Sequence, residues 1–162
     1  MIKLITTGLL WFSALGAGLI AGVFFAFSTF IMTALGRSGQ VHGILAMNSI
    51  NSTILQSLFM PVFYGTTLTS IALAVIALSR WEGNRSMAVL AAATVYVLGM
   101  FVCTIVFNVP LNNALAAVDP ASIEGETVWA RYLSEWTFWN HVRTIAALGA
   151  AALFTFSLCT RA

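Results

Sequence analysis

The sequence contains very few charged residues. Only 7% of its 162 residues are Asp, Glu, Lys or Arg, whereas a soluble domain usually carries about 25%. Hydrophobic residues make up 60% of the chain, and the mean hydropathy is +0.95. This composition excludes an ordinary soluble fold and predicts an integral membrane protein in a lipid bilayer. The seven basic residues are scattered, so we expect no nucleic acid partner.

Cysteine and recognisable metal-binding motifs are equally scarce. Cys103 and Cys159 are the only cysteines, and each lies within an apolar run rather than in a CxxC pair. This pattern argues against disulfide chemistry with a quinone and favours small buried side chains. His42 and His141 belong to no HxxxH or ExxH motif, so we predict no metal site. A haem or copper ion held by these two histidines is a minor alternative.

What the sequence does have is long apolar segments. There are four, at about residues 5–35, 41–78, 87–117 and 128–158. The stretches GRSG, SRWEGNRS and VDPASIEGE separate them and are typical of turns. No segment alternates with a period of two, which favours helices over barrel strands. The sequence therefore predicts an all-α polytopic membrane protein, with residues 1–162 forming a single domain built as a four-transmembrane-helix bundle.

Segment lengths and charges predict how the bundle sits in the membrane. A helix needs about 20 residues to cross the hydrocarbon, so the excess should project on one side. Lys3, Arg80, Arg85 and Arg161 share one face of a four-helix path, and the first loop offers only Arg37. The basic excess predicts that both termini are cytoplasmic. The absence of targeting features suits a bacterial inner membrane.

Small residues indicate how the helices pack. Ala14, Gly18 and Gly22 are spaced four apart, and such stripes let membrane helices approach closely. We expect this stripe to lie inside the bundle. A dimer interface is the alternative, so an oligomer is possible.

Most polar residues of the apolar segments are predicted to meet at the outer end of the bundle. The second segment starts there, the third ends there and the fourth starts there. The polar residues concerned are Asn48, Asn51, Asn108, Asn112, Asn113, Asn140, His141 and Arg143. Arg143 is the most informative, because an arginine in an apolar run needs a partner or a polar cavity. This convergence predicts a site near the outer leaflet.

Each of these features also has a structural interpretation. The asparagines around Pro110 could link helices together across a kink, or serve backbone groups that the proline leaves free. Trp129 and Trp136 could belong to an interfacial aromatic belt. His141 could be a hydrogen-bonded histidine with a packing role. These interpretations stay open at the level of the sequence.

Four stretches together carry a resemblance to a known family. They are AGVFFAFSTFIMTAL, AMNSIN, FNVPLNNALA and WTFWNHVRT, in that order. The chain resembles the anthrone oxygenase family of small four-helix membrane proteins. Some members oxidise an anthrone to an anthraquinone with dioxygen, so the resemblance implies an aromatic, polyketide-type substrate. The polar and aromatic positions that match the family are Asn51, Asn108, Asn112, Asn113, Trp136, Trp139, Asn140, His141 and Arg143.

The first functional hypothesis is an oxygenase acting on a flat phenolic or quinonoid molecule. We assign His141 as the base, because histidine ordinarily titrates near neutral pH. Asn108, Asn112, Asn140 and Arg143 would hold the developing oxyanion. The substrate would be bound by Asn48, Asn51, Asn113, Tyr132, Trp136 and Trp139. This scheme needs dioxygen as co-substrate and no cofactor.

The second hypothesis is non-catalytic. The protein could bind a lipid, a quinone or another hydrophobic molecule, or it could be a subunit of a membrane complex. His141→Gln separates the two hypotheses, because a binder tolerates it and a base-catalysed oxygenase loses turnover.

Overall fold

The computed structural model describes residues 2–160, which form five helices and no strand. The helices are α1 (Ile2–Arg37), α2 (Gln40–Ile54), α3 (Phe59–Ser79), α4 (Asn84–Ala117) and α5 (Ile123–Cys159). All but α2 are long and apolar enough to cross a membrane. The prediction of an all-α, four-transmembrane-helix membrane protein is confirmed.

The prediction of one continuous helix over residues 41–78 is wrong. The chain leaves the helical path after Ile54 and resumes it at Phe59. Ser57 stabilises this break, because its hydroxyl donates to the Ile54 carbonyl at 2.8 Å and accepts from the Phe59 N–H at 3.1 Å. Pro61 lies in the first turn of α3, where its missing N–H costs no helical hydrogen bond. The break separates a short helix, α2, from the membrane helix α3.

The four long helices pack around one apolar core. α1 contacts α3 and α5, and α4 contacts the same two helices. Gly16 of α1 lies directly against Thr66 of α3, where a Cβ atom would collide with the threonine hydroxyl. Gly18 and Gly22 instead lie on the outside of α1, where an added Cβ atom would meet nothing within 4 Å. The expectation that the stripe lies inside the bundle therefore holds for Ala14, which is buried, and is wrong for Gly18 and Gly22, since the close approach uses Gly16.

A second apolar cluster lies beyond the membrane core, at the end of the bundle that carries α2. α3 has 21 residues, or about 31 Å, which matches a hydrocarbon core of about 30 Å. α1, α4 and α5 have 36, 34 and 37 residues, so they project at this end as expected. Their projecting parts pack with α2 around Met32, Ile44, Met47, Leu111, Leu115, Trp129, Tyr132 and Trp136. We refer to this cluster as the cap.

π-helical turns occur where the membrane core meets the cap. They cover Phe27–Ile31 in α1, Thr104–Asn108 in α4 and Tyr132–Trp136 in α5, and α4 has a further stretch at Val95–Val102. A π-helical turn has one extra residue per turn and often marks a functional site. Three of these turns meet there, because Phe27 contacts the Trp136 ring and Asn108 donates to the Trp136 carbonyl.

Candidate functional site

A cavity of about 380 Å³ lies at the junction of the membrane core and the cap. This volume is within the range of about 300–1,000 Å³ that small-molecule sites usually have. Its aromatic walls are formed by Phe24, Phe27, Phe59, Phe63, Tyr64 and Trp136. Its polar lining includes Asn48, Asn51, Thr104, Asn112, Asn113 and Arg143. The structure thus brings together six of the residues selected from the sequence, namely Asn48, Asn51, Asn112, Asn113, Trp136 and Arg143.

Arg143 is the only charged side chain that the described residues contribute to the cavity wall. It is 3% exposed and lies over the Phe24 ring, with 4.1 Å from the guanidinium carbon to the ring centroid. The Trp136 ring is 5.0 Å away. One terminal nitrogen donates to Asn140 Oδ1 at 2.7 Å, and the other is 3.5 Å from Thr104 Oγ1. Because a guanidinium has five N–H donors, most of its capacity is unused.

Arg143 has no carboxylate partner among residues 2–160. The two ion pairs there, Arg85–Glu82 and Arg131–Glu135, lie outside the cavity. Within the same range, the Arg143 Nε–H is buried without any hydrogen-bond partner. A guanidinium stays protonated at physiological pH, and a buried charge without a counter-ion is costly. The cavity therefore offers a positive charge and free donors to an anionic oxygen.

Asn140 holds Arg143 in place rather than facing the cavity. Its amide nitrogen donates to the Phe24 carbonyl at 2.7 Å and to Ser28 Oγ at 2.8 Å, while its oxygen accepts from Arg143. Both amide hydrogens are therefore already used. Asn140 is fully buried and ties α5 to α1. The structure does not place it where it could donate to a bound oxyanion.

Tyr132 connects three helices beside the cavity. Its hydroxyl donates to Asn112 Oδ1 of α4 at 2.8 Å and lies 3.5 Å from the amide nitrogen of Asn51 of α2. Its ring stacks between Trp129 and Trp136, with centroid distances of 5.8 and 5.5 Å. Tyr132 does not line the cavity itself. It positions Asn51, Asn112 and Trp136, which do line the cavity.

The other asparagines have separate environments. Asn108 is fully buried and donates to the Trp136 carbonyl at 3.2 Å, so it joins α4 to α5 and does not line the cavity. This carbonyl belongs to another helix, so Asn108 links two helices, as the structural interpretation of the asparagines expected; α4 itself continues through Pro110. Asn48 lies 3.4 Å from the Leu115 carbonyl. Asn113 is exposed at the cavity rim.

His141 and Trp139 do not line the cavity. His141 is exposed and shares the outer face of α5 with Phe138 and Ile145, which are 58% and 71% exposed. It precedes Arg143 by two residues, which places the two side chains about 200° apart around the helix. Trp139 stacks on Phe107 with 3.6 Å between ring centroids. The assignment of His141 as base therefore lacks the geometry that it requires.

The described lining contains no conventional base. None of the cavity residues in the range 2–160 is an Asp, Glu, His, Lys or Cys. Within residues 2–160, no three His, Cys, Asp or Glu side chains lie close enough together to hold a metal ion. The chemistry available from these residues is cation, amide, hydroxyl and aromatic surface.

Sequence reasoning missed most of the aromatic wall. Phe24 and Phe27 lie in the AGVFFAFSTFIMTAL stretch of α1, and Phe59 and Phe63 lie in the first two turns of α3. Phenylalanines in apolar segments carry no signal that separates a cavity wall from a lipid-facing surface. Thr104 was also missed, although its position four residues before Asn108 places it on the same face of α4.

Comparison with known proteins identifies a family. The family model described as anthrone oxygenase matches residues 55–153, from the connection before α3 into the last turns of α5. No curated protein and no solved structure gave a significant match. The matched region covers more than half of the chain and includes Arg143, Asn112 and Trp136. The chain therefore belongs to the anthrone oxygenase family.

Proposed function

We propose that the cavity binds a flat phenolic or quinonoid molecule as its oxyanion and supports oxidation of that anion by dioxygen. The observation that carries this proposal is Arg143, a buried cation in the wall of an aromatic cavity, with no carboxylate partner among residues 2–160. Family membership makes an anthrone-like compound the first candidate.

The cavity wall suits such a ligand. A fused ring system is apolar on its faces and would contact Phe24, Phe27, Phe59 and Phe63, which occupy two neighbouring helices. Its oxygen would meet Arg143 in the same wall. A charge-assisted hydrogen bond to a guanidinium is stronger than a neutral one, and burial strengthens it further. The ionised ligand should therefore be selected over the neutral ligand.

Preference for the ionised ligand would activate the substrate towards dioxygen. An anthrone has an acidic CH₂ group between two rings and opposite a carbonyl. Loss of one proton gives an electron-rich anion whose charge lies largely on the oxygen, and Arg143 stabilises that charge. The anion passes electrons to dioxygen, and a carbon–oxygen bond forms. Loss of water then leaves a second carbonyl, so that one CH₂ group and one O₂ give one C=O group and one H₂O.

No protein base is needed in this scheme. The described cavity residues include no carboxylate or imidazole, and stabilisation of the anion makes the ligand itself more acidic. The proton would leave to water at the polar rim near Asn113. Dioxygen is the co-substrate and no cofactor takes part.

The test is oxygen uptake by the purified protein with an anthrone such as emodin anthrone. We expect uptake above the spontaneous rate, loss of it in Arg143→Met, and little change in His141→Gln or after treatment with a chelator. Loss of uptake on chelation would bring a metal or haem into the scheme. Ligand binding without any protein-dependent uptake would favour a carrier or complex subunit that holds a lipid, quinone or similar molecule.

A further inference from the structure

The cavity has an opening between α3 and α4. α3 packs against the first half of α4 but makes no comparable contact with the second half. Near the end of this packing, Tyr64 of α3 contacts Phe101 of α4, with ring centroids 6.2 Å apart. Beyond it, Met60 of α3 and Ile105 of α4 both line the cavity. The gap between the two helices is thus continuous with the cavity.

The rim of this gap is apolar and lies at membrane depth. Tyr64 and Ile105 line the cavity and are also 48% and 47% exposed at the surface. α3 is about as long as the hydrocarbon is thick. Tyr64 is five residues after the start of α3 at Phe59, which places it about 7 Å below the cap-side surface of the hydrocarbon. Arg143 is 16 residues before the end of α5 at Cys159, which is about 24 Å from that end of the helix. In a hydrocarbon core of about 30 Å, Arg143 is therefore also a few ångströms below the cap-side surface. The gap and the guanidinium are therefore at similar depth.

A second part of the rim is polar. Ser52 of α2 and Asn113 of α4 are exposed and also line the cavity. Both belong to the cap end of the bundle, beyond the membrane core. The ligand could therefore reach the cavity from the bilayer, past Tyr64 and Ile105, or from water, past Ser52 and Asn113.

We infer that the substrate reaches Arg143 from the bilayer, through the gap between α3 and α4, and that it is uncharged until it arrives. This inference rests on the function proposed above and narrows its substrate class to neutral aromatic compounds that dissolve in the membrane. An apolar rim favours such a compound, because burial of its rings in lipid is favourable. An anion is costly in hydrocarbon, so ionisation occurs only beside Arg143. A compound that bears a permanent charge is excluded.

Two bulky substitutions at the rim separate the two routes. The protein is reconstituted in vesicles, and association of alizarin, a dihydroxyanthraquinone, is followed by its visible absorption at a pH at which the free compound is uncharged. We expect Ile105→Trp to slow association and dissociation by about tenfold while Kd changes less, because the gap is obstructed and the site is intact. Ser52→Trp, on the polar rim, should stay within about twofold of the wild type. Ile145→Trp, at an exposed position of α5 outside the cavity, is the matched control.

The sulfonated form of the same compound gives a second comparison. It has the same rings and hydroxyls, but its sulfonate is always charged, so we expect no measurable uptake into the cavity. The inference is overturned if the sulfonate associates as fast as alizarin, or if Ser52→Trp slows association and Ile105→Trp does not. In either case alizarin binding itself still supports the proposed function.

Failure of the proposed function gives a different result. If alizarin binds to no variant, the ligand assignment is wrong. Whether the gap between α3 and α4 faces lipid or water is then tested without a ligand. A spin label attached at Ile105→Cys should then be relaxed by oxygen, which concentrates in lipid, more than by a water-soluble nickel complex. Preferential relaxation by the nickel complex would show a water-facing gap and overturn the inference.

Discussion

Replacement of Arg143 by methionine separates a ligand-binding role from a structural one. Methionine is unbranched and flexible, so it fills most of the space against Phe24 and Trp136. The substitution removes the positive charge, the 2.7 Å hydrogen bond to Asn140 and the 3.5 Å contact with Thr104. Nothing else bonds to the guanidinium among residues 2–160.

The expected change in folding stability is small because two effects oppose each other. A hydrogen bond to a charged group contributes about 1.5–3 kcal/mol, and its loss leaves Asn140 Oδ1 without its donor. Replacement of buried ionic groups by apolar side chains, however, is often neutral or stabilising by about 1–4 kcal/mol. The net change in the free energy of unfolding should lie within about 2 kcal/mol of zero.

The expected change in ligand affinity is large. Removing one partner of a buried, hydrogen-bonded charge pair costs about 2–5 kcal/mol, which raises Kd by about 30-fold to 4,000-fold. The assay is equilibrium binding of a hydroxyanthraquinone to the detergent-solubilised protein, beside its methyl ether, which cannot ionise. The ether should bind to Arg143→Met and to the wild type with similar affinity.

Arg131→Met is the matched control. Arg131 is exposed on the same helix and pairs with Glu135 at 2.9 Å, outside the cavity, so its loss should leave the Kd unchanged. The reasoning is refuted if Arg143→Met binds the hydroxyanthraquinone as tightly as the wild type does. It is also refuted if the variant loses affinity for the ether to the same extent, since the site would then have collapsed.

Three further predictions concern the helix packing and the outer face of α5. Asn140→Ala should lower the free energy of unfolding by about 2 kcal/mol, because three hydrogen bonds are lost and each contributes about 0.6 kcal/mol within a membrane; an unchanged denaturation midpoint would contradict this. His141→Gln should retain at least half of any oxygen uptake, since the side chain lies outside the cavity; abolished uptake with intact ligand binding would restore its role as base. Gly16→Ala should destabilise the bundle because its Cβ would collide with Thr66, whereas Gly18→Ala, which meets nothing within 4 Å, should be neutral or stabilise by up to about 1 kcal/mol. Thermal unfolding of both glycine variants tests this pair, and equal midpoints would contradict the close contact.

The sequence was sufficient for the membrane architecture and for Arg143. Apolar length and the scarcity of charge determine the number of spans. An arginine in an apolar run implies a polar cavity at its depth, and topology alone indicates which helix ends meet there. The asparagines of α2 and α4 were found by the same argument.

The parts that could not be predicted depend on local geometry. His141 and Asn140 are neighbours in a polar motif, yet one faces outwards and the other is buried, because successive helical residues differ by about 100°. The spacing of His141 and Arg143 already indicated opposite faces. The break at residues 55–58 has no glycine and only a proline three residues later, so it carried little signal. Without that break, the aromatic wall at the start of α3 could not be placed.

The visible absorption spectrum of a bound hydroxyanthraquinone tests most directly whether the cavity selects an oxyanion. The spectrum of such a compound changes on ionisation, and it is recorded at a pH at which the free compound is neutral. We predict the spectrum of the anion when the compound is bound to the wild type and the spectrum of the neutral form when it is bound to Arg143→Met. A neutral spectrum on the wild type, with the compound demonstrably bound, would contradict the role of Arg143 and with it the proposed activation of the substrate.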